Sequence, residues 1–304
     1  MSAPAGTGAS RSSSDRATLR QLVESAAVSR QPVLLPGCYD ALGARIIEQA
    51  GFDAVYMTGF GTTAGLLAQP DIGLLGLAEM ADNAARIVSA TSLPVLADAD
   101  TGYGNEINVA RTVQVYEQAG VGGLHIEDQA MPKRCGHMDN KTVIATNDMV
   151  TKISAAVAAR SNPDLIVIAR TDARAPNGLA DAIDRGHRFR EAGADMLFIE
   201  ALEGVAEIEQ VATEFADTPL LFNWVEGGKT PALTHAQIAE LGFATILMPV
   251  GLLLAATAAM QTYAARIKVD GTPAEISGDL MGFTDFTNFI GLPEALARSA
   301  GLVD

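Results

Sequence analysis

Residues 95–128 read VLADADTGYGNEINVARTVQVYEQAGVGGLHIED, and one structural unit is visible in them. Val95–Ala97 is a short apolar run of strand type, followed at once by the acids Asp98 and Asp100. Apolar residues then recur at helical spacing over Asn108–Ala119, and the phrase Ala119-Gly120 closes the segment. A glycine at that point caps a helix and lets the chain turn back toward a sheet. Gly123–Ile126 is the next strand, and it too runs into acids, Glu127 and Asp128. The unit is a strand, a polar loop, a helix and a return to a parallel strand.

The unit repeats along the chain. Further strands are expected at Val33–Pro36, Ala54–Met57, Leu165–Ala169, Met196–Ile199, Leu220–Phe222 and Thr245–Met248. Helical patterns lie between them at Ala41–Ala50, Ala78–Ala90, Asn147–Ala159, Leu179–Ala192, Val205–Phe215 and His235–Leu241. Ala50-Gly51 and Ala192-Gly193 repeat the capping phrase. Eight β/α units in about 250 residues is the arithmetic of an α/β fold of the (β/α)8 TIM-barrel type. A doubly wound eight-stranded sheet is the architectural rival. The polar residues favour the barrel, whose chemistry sits on loops after the strands. Those strand ends read Gly37-Cys38-Tyr39-Asp40, Tyr56-Met57-Thr58-Gly59, Asp98-Ala99-Asp100, His125-Ile126-Glu127-Asp128, Arg170-Thr171-Asp172, Glu200 and Asn223. Solubility alone would scatter acids over the helices.

Composition narrows the function. The 304 residues are 48% hydrophobic and 19% charged, an ordinary globular balance. Acids outnumber bases 36 to 21, and the net charge of −15 argues against a nucleic-acid partner. Two cysteines, Cys38 and Cys135, are too few for a disulfide scaffold and suit a reducing, cytoplasmic setting. The opening MSAPAGTGASRSSSDR lacks the apolar core of a secretory signal, so residues 1–16 read as a flexible tail. Phe243–Met260 carries no charge over 18 residues, but Pro249 and Gly251 interrupt it. It reads as a buried strand and an apolar helix, Leu252–Ala265, rather than a membrane span. Such a helix also suits a partner subunit. The expected organisation is a tail over 1–16, a catalytic barrel over 17–270, and an extension over 271–304 that packs on the barrel or a neighbour.

Two constellations carry chemistry. Asp98 and Asp100 stand two apart at a strand end, where alternation aims both the same way, and His125 and Glu127 repeat the spacing one unit later. A lone Asp-Ala-Asp-Thr-Gly would be a turn. Two aligned pairs on adjacent strands read as a site for a hard cation, Mg²⁺ or Mn²⁺. Lys133-Arg134-Cys135-Gly136-His137 lies in the longest break between a strand and its helix. A cysteine beside Lys, Arg and His suits proton transfer or nucleophilic attack, against the alternative of an incidental surface thiol. Only five lysines occur and none lies in an expected strand, which disfavours a Schiff-base aldolase. Cys38 reads as packing, and His187 and His235 as helix-surface residues.

The segments Val95–Gly104, His125–Gln129, Lys133–His137 and Ala169–Ala173 closely resemble the isocitrate lyase/phosphoenolpyruvate mutase superfamily over about residues 30–270. The chain is similar to its branch of 2-methylisocitrate lyases, dimethylmalate lyases, oxaloacetate hydrolases and the petal death protein. That resemblance implies Asp98 as the direct Mg²⁺ ligand, with Asp71, Asp100 and Glu127 holding metal-bound waters. It implies substrate contacts at Thr58, Gly59, Phe60, Gly136, Arg170, Glu200 and Asn223. Cys135 becomes the general acid, supported by Lys133 and His137, and Tyr56 stands beside the metal. A homotetramer with the eighth helix exchanged between subunits is also implied.

Two departures bear on the substrate. Phe60 replaces a glycine of the methylisocitrate enzymes, and Pro249 is followed by Val-Gly-Leu-Leu-Leu-Ala without their arginine. A third carboxylate would then lie unpaired, which is costly. Asn223–Pro231 also resembles the alkylmalate lyase and petal-death group. The expected activity is cleavage of a 2-alkylmalate or dimethylmalate to a 2-oxo acid and a carboxylate. Oxaloacetate hydrolysis and 2-methylisocitrate cleavage are the alternatives, with phosphonopyruvate or phosphoenolpyruvate mutase chemistry and a non-catalytic acid-binding barrel behind them.

Overall fold

The computed structural model describes residues 17–136 and 140–301. Eight parallel strands alternate with helices: β1 Val33–Cys38, β2 Val55–Met57, β3 Val95–Asp98, β4 Gly123–Glu127, β5 Ile166–Thr171, β6 Met196–Ile199, β7 Leu221–Asn223 and β8 Thr245–Met248. Their order is β6-β5-β4-β3-β2-β1-β8-β7. A parallel bridge between Leu197 and Leu220 joins the two ends, so the sheet closes on itself as a TIM-like barrel and not as an open doubly wound sheet. The described residues divide into two compact units, one ending at Leu253 and one starting at Leu254.

Gly51, Gly120 and Gly193 all adopt positive φ (86°, 87° and 99°), the conformation that turns each helix back into a strand. Inside the barrel, Leu35, Tyr56, Leu96, Ile168, Phe198, Leu221 and Leu247 fill the core from alternating positions. A helix over Leu19–Ser29, with no counterpart in the sequence expectations, closes the floor. Thr18 caps it, accepting from the Gln21 amide while the Gln21 side chain accepts from Thr18 N–H. Gly123 leaves room for it: a Cβ there would stand 2.9 Å from Leu19 Cδ2.

Strand register delivers the polar residues to one rim. Asp98 pairs with His125, Glu127 with Arg170, and Asn223 with Leu247. The helix Gly59–Leu67, also unanticipated, starts at that rim with Thr58 as its N-cap. Strand β8 is followed by a helix over Gly251–Asp270 that buries none of its residues. No helix among the described residues is long and apolar enough to cross a membrane.

Candidate active site

A cavity of about 480 Å³, mouth included, opens at the C-terminal rim. It is lined by Tyr56, Thr58, Phe60, Asp71, Asp98, Glu127, Lys133, Cys135, Gly136, Arg170, Glu200 and Asn223. Its apolar wall comes from Phe198, Val225, Leu247, Pro249 and Val250. Of the residues expected from sequence, Gly59 and Asp100 stand directly behind this lining, while His137 lies outside the described residues.

Asp98 ends β3, and three donors fix its carboxylate. Asp100 N–H donates to Oδ1 at 2.9 Å, Gly59 N–H to Oδ2 at 3.2 Å, and the Tyr56 hydroxyl to Oδ2 at 3.4 Å. The last contact is long and its strength modest. Strand alternation does not explain Asp100, contrary to expectation. The strand stops at Asp98, and Asp100 turns through φ 48°, so a tight turn and not the pleat sets its direction. Tyr56 Oη also lies 2.9 Å from His125 Nε2. Burial lowers the His125 imidazole to about 4, so it is neutral near pH 7. Its Nδ1 has no partner among the described residues, which is cheapest if Nδ1 carries no proton. The satisfied chain is then His125 Nε2–H to Tyr56 and Tyr56 O–H to Asp98. Burial, reinforced by Asp98, keeps the Tyr56 phenol well above its ordinary value, so it acts as a donor and not as a phenolate.

Lys133 occupies the acidic side. Its ammonium is 2.6 Å from Asp71 Oδ1 and also contacts Asp100, and all three groups are buried. The expectation had Lys133 supporting Cys135; the two line the same cavity, and the Lys133 charge lies among the acids because burial of paired carboxylates demands a cation. Burial alone would lower the ammonium, but Asp100, Glu127 and Asp71 more than offset it and hold it well above its usual value. Burial pushes Asp100 up to about 7, with Lys133 opposing and Asp98 and Asp71 reinforcing.

Arg170 is held by three acids. Nε lies 2.9 Å from Asp172 Oδ2 and 3.3 Å from Glu127, and Nη2 lies 3.3 Å from Glu200. Its guanidinium also covers the Phe198 ring at 4.9 Å. Asn223 Nδ2 donates to Glu200 Oε2 at 3.0 Å. Cys135 is partly exposed at the mouth, whereas Cys38 is buried and its thiol is pushed up to about 12 by desolvation, as suits packing. Asp128 and Asp172, read from their strand ends, form a buried network behind the site with Lys141 and Arg185, which no local pattern in the sequence singles out.

The acids fit a hard divalent cation. The donor set is all oxygen, the acids outnumber their cations, and Glu127 Oε1 is buried without a partner among the described residues. The expected convergence of three or four oxygens is not reached directly: among the described residues no three His, Cys, Asp or Glu groups come together as a ready metal cage. Lys133 stands between them.

The family model for phosphoenolpyruvate phosphomutase matches residues 23–268. The chain is 44% identical to 2,3-dimethylmalate lyase of Eubacterium barkeri, over 91% of this chain and 94% of that protein. It is 42% identical to 2-methylisocitrate lyase of Aeropyrum pernix, over 93% and 89%. A crystal structure of 2,3-dimethylmalate lyase superposes with a TM-score of 0.88 at 40% identity, covering 94% of this chain and 96% of that one. Oxaloacetate acetylhydrolase bound to 3,3-difluorooxalacetate gives 0.87 at 36% identity, covering 94% and 96%. With its barrel, its acidic rim and its Cys135 loop, the chain belongs to the phosphoenolpyruvate mutase/isocitrate lyase superfamily.

Proposed function

We propose that this protein is a carbon–carbon lyase that cleaves a 2-alkylmalate of the 2,3-dimethylmalate type to a 2-oxo acid and a carboxylate. The observation that carries the reading is one cavity that brings Cys135, Arg170 and an excess of buried acids against an apolar wall. Asp98, with Asp71, Asp100 and Glu127, would hold Mg²⁺ or Mn²⁺. When bound, such a cation lowers the pKa of the substrate's 2-hydroxyl and balances its carboxylate.

The protein's own groups do the rest. The nine-residue helix capped by Thr58 starts at the rim; its Gly59 amide is taken by Asp98 Oδ2, and the Phe60 amide beside it suits the C1 carboxylate. Arg170, oriented by Asp172 and Glu200, suits the second carboxylate. Once the hydroxyl proton passes to a nearby carboxylate acting as base, the oxygen's electrons form the 2-oxo carbonyl, the C2–C3 bond breaks and its electrons pass to C3. The resulting carbanion is delocalised into the adjacent carboxylate, and Cys135 Sγ delivers the proton that quenches it. Gly136 follows that cysteine in the chain, His137 would support it, Lys133 neutralises nearby acids, and Tyr56 donates toward Asp98. Glu200 and Asn223 orient the substrate end. From 2,3-dimethylmalate the products are pyruvate and propionate.

The apolar wall and the missing arginine beyond Pro249 favour an alkyl group over a third carboxylate. The likeness to oxaloacetate acetylhydrolase supports a second reading, hydrolysis of oxaloacetate to oxalate and acetate. A product assay with Mg²⁺ on 2,3-dimethylmalate, 2-ethylmalate, 2-methylisocitrate and oxaloacetate separates them, with Cys135→Ser as control. A 2-oxo acid from a malate supports the lyase, oxalate from oxaloacetate selects the hydrolase, and silence on all four refutes the substrate class.

The reading extends to a cytoplasmic homotetramer. The exposed apolar side chains Leu254, Met260, Phe283 and Leu296 support a surface that a neighbouring subunit covers, with the helix after β8 exchanged between subunits. The organisation as a barrel over 17–270 and an extension over 271–304 belongs to the same proposal, while the tail expected over 1–16 lies outside the described residues.

A further inference from the structure

Lys141 follows the Cys135 loop and precedes the helix Thr146–Ala159. Its side chain is fully buried, yet it carries a charge. Two partners hold that charge. The ammonium donates to the carbonyl of Gly136, the residue after Cys135, and to Asp172 Oδ1 at 2.7 Å. Asp172 uses the same carboxylate to grip Arg170, with Nε at 2.9 Å and Nη2 at 3.2 Å.

Asp172 is also held through its backbone. Asp172 N–H donates to Asp128 Oδ1 at 2.9 Å, and Arg185 donates to Asp128 Oδ2 at 3.0 Å. Gly136 has equally little freedom. A Cβ on it would stand 2.5 Å from Arg170 Nη2 and 2.6 Å from Glu200 Cγ. One ammonium therefore ties the backbone beside the thiol to the carboxylate that aims the guanidinium. A buried ammonium is costly unless its partners are well placed, and a methionine would fill the same space without that cost.

We propose that Lys141 is a positioning residue: through the Gly136 carbonyl and Asp172 it sets where Cys135 stands relative to Arg170. The inference rests on the lyase reading for its kinetic consequence, but not for its geometry. Arg170 keeps its two bonds to Asp172 when Lys141 is removed, so substrate binding changes little. The Gly136 carbonyl loses its anchor, so proton delivery suffers. A displacement near 1 Å in a reacting group costs roughly 100-fold in rate.

The test compares Lys141→Met and Lys141→Arg with a control, Lys152→Met, whose ammonium bonds Thr101 O away from the thiol. Lys141→Met should lower kcat by about thirtyfold or more while KM stays within about threefold. Cys135 alkylation by iodoacetamide, which needs no substrate, should change rate by about threefold or more in Lys141→Met and not in Lys152→Met. A folded Lys141→Met with kcat within twofold of the parent, or with an unaltered alkylation rate, overturns the proposal. If Lys141→Met does not fold, Lys141→Arg decides. The longer planar fork cannot reproduce a point contact to both oxygens. A folded enzyme with reduced kcat, unchanged KM and shifted alkylation supports the role, and parent values overturn it. Should the parent turn over none of the malates, the lyase reading fails while the alkylation result still tests the positioning.

Discussion

Gly59→Ala is the sharpest test of how the site is built. An added Cβ would stand 2.4 Å from Asp98 Oδ2 and 2.9 Å from its Cγ, where ordinary contact begins at 3.4 Å. The carboxylate must therefore retreat by about 1 Å. It has nowhere to go, because the Asp100 amide holds Oδ1 and Tyr56 approaches Oδ2. The bond from Gly59 N–H, 3.2 Å in the parent, lengthens or breaks as well. Losing a hydrogen bond to a charged group costs about 1.5–3 kcal/mol. The better helix propensity of alanine returns about 1 kcal/mol. Net destabilisation is then about 0.5–2 kcal/mol, a shift of a few degrees in melting temperature. Activity should fall far more, by roughly 100-fold in kcat/KM, since the displaced group is the principal cation ligand of the proposal. Steady-state kinetics on 2,3-dimethylmalate over a Mg²⁺ titration, beside a thermal melt, reads both effects. Activity within about threefold of the parent at every Mg²⁺ concentration would refute the reasoning.

Three further outcomes are expected. Native protein treated with iodoacetamide near neutral pH should be modified at Cys135 and not at Cys38, whose buried thiol is pushed up to about 12; peptide mapping that finds Cys38 labelled in folded protein would contradict this. Burial alone would raise the Asp172 carboxyl, but Arg170 and Lys141 more than offset it and hold it well below its ordinary value. Its stabilising contribution is therefore present above the unfolded value near 4 and is lost as pH falls through the lower folded value. Asp172→Asn should destabilise by about 3–5 kcal/mol near neutrality and by less in acid, and a penalty in urea unfolding that does not shrink on acidification would count against the pairing. Gly186→Ala places a Cβ 2.6 Å from Phe215 Cζ in the core and should cost about 1–3 kcal/mol without touching kcat, whereas an unchanged melting temperature would argue against tight packing there.

Much of the barrel was legible because its strands are short apolar runs with glycine returns. Met196–Ile199 and Thr245–Met248 form strands with the bounds read from sequence. Gly59–Leu67 was not legible, since Gly59, Gly61 and Gly65 give it poor helix propensity; the Thr58 cap and tertiary packing override that. The floor helix left a signal, the Thr18 to Gln21 capping box, too short to stand out. Within the site, the acids at Asp98, Glu127 and Glu200 could be read from their strand ends. Asp71 could not, because it lies outside any strand and meets Lys133 only through the fold. Lys141 and Asp172 are likewise partners across 31 positions. Such a pairing leaves no local periodicity to read.

The central claim is that Cys135 quenches a carbanion freed by C2–C3 cleavage. It is tested most directly by following 2,3-dimethylmalate with the Mg²⁺-loaded enzyme in D₂O by NMR. The account predicts pyruvate and propionate in equal amounts, with one deuterium at C2 of the propionate and no products from Cys135→Ser. Parent enzyme that leaves the substrate intact, or Cys135→Ser that yields the same products at the parent rate, would contradict it.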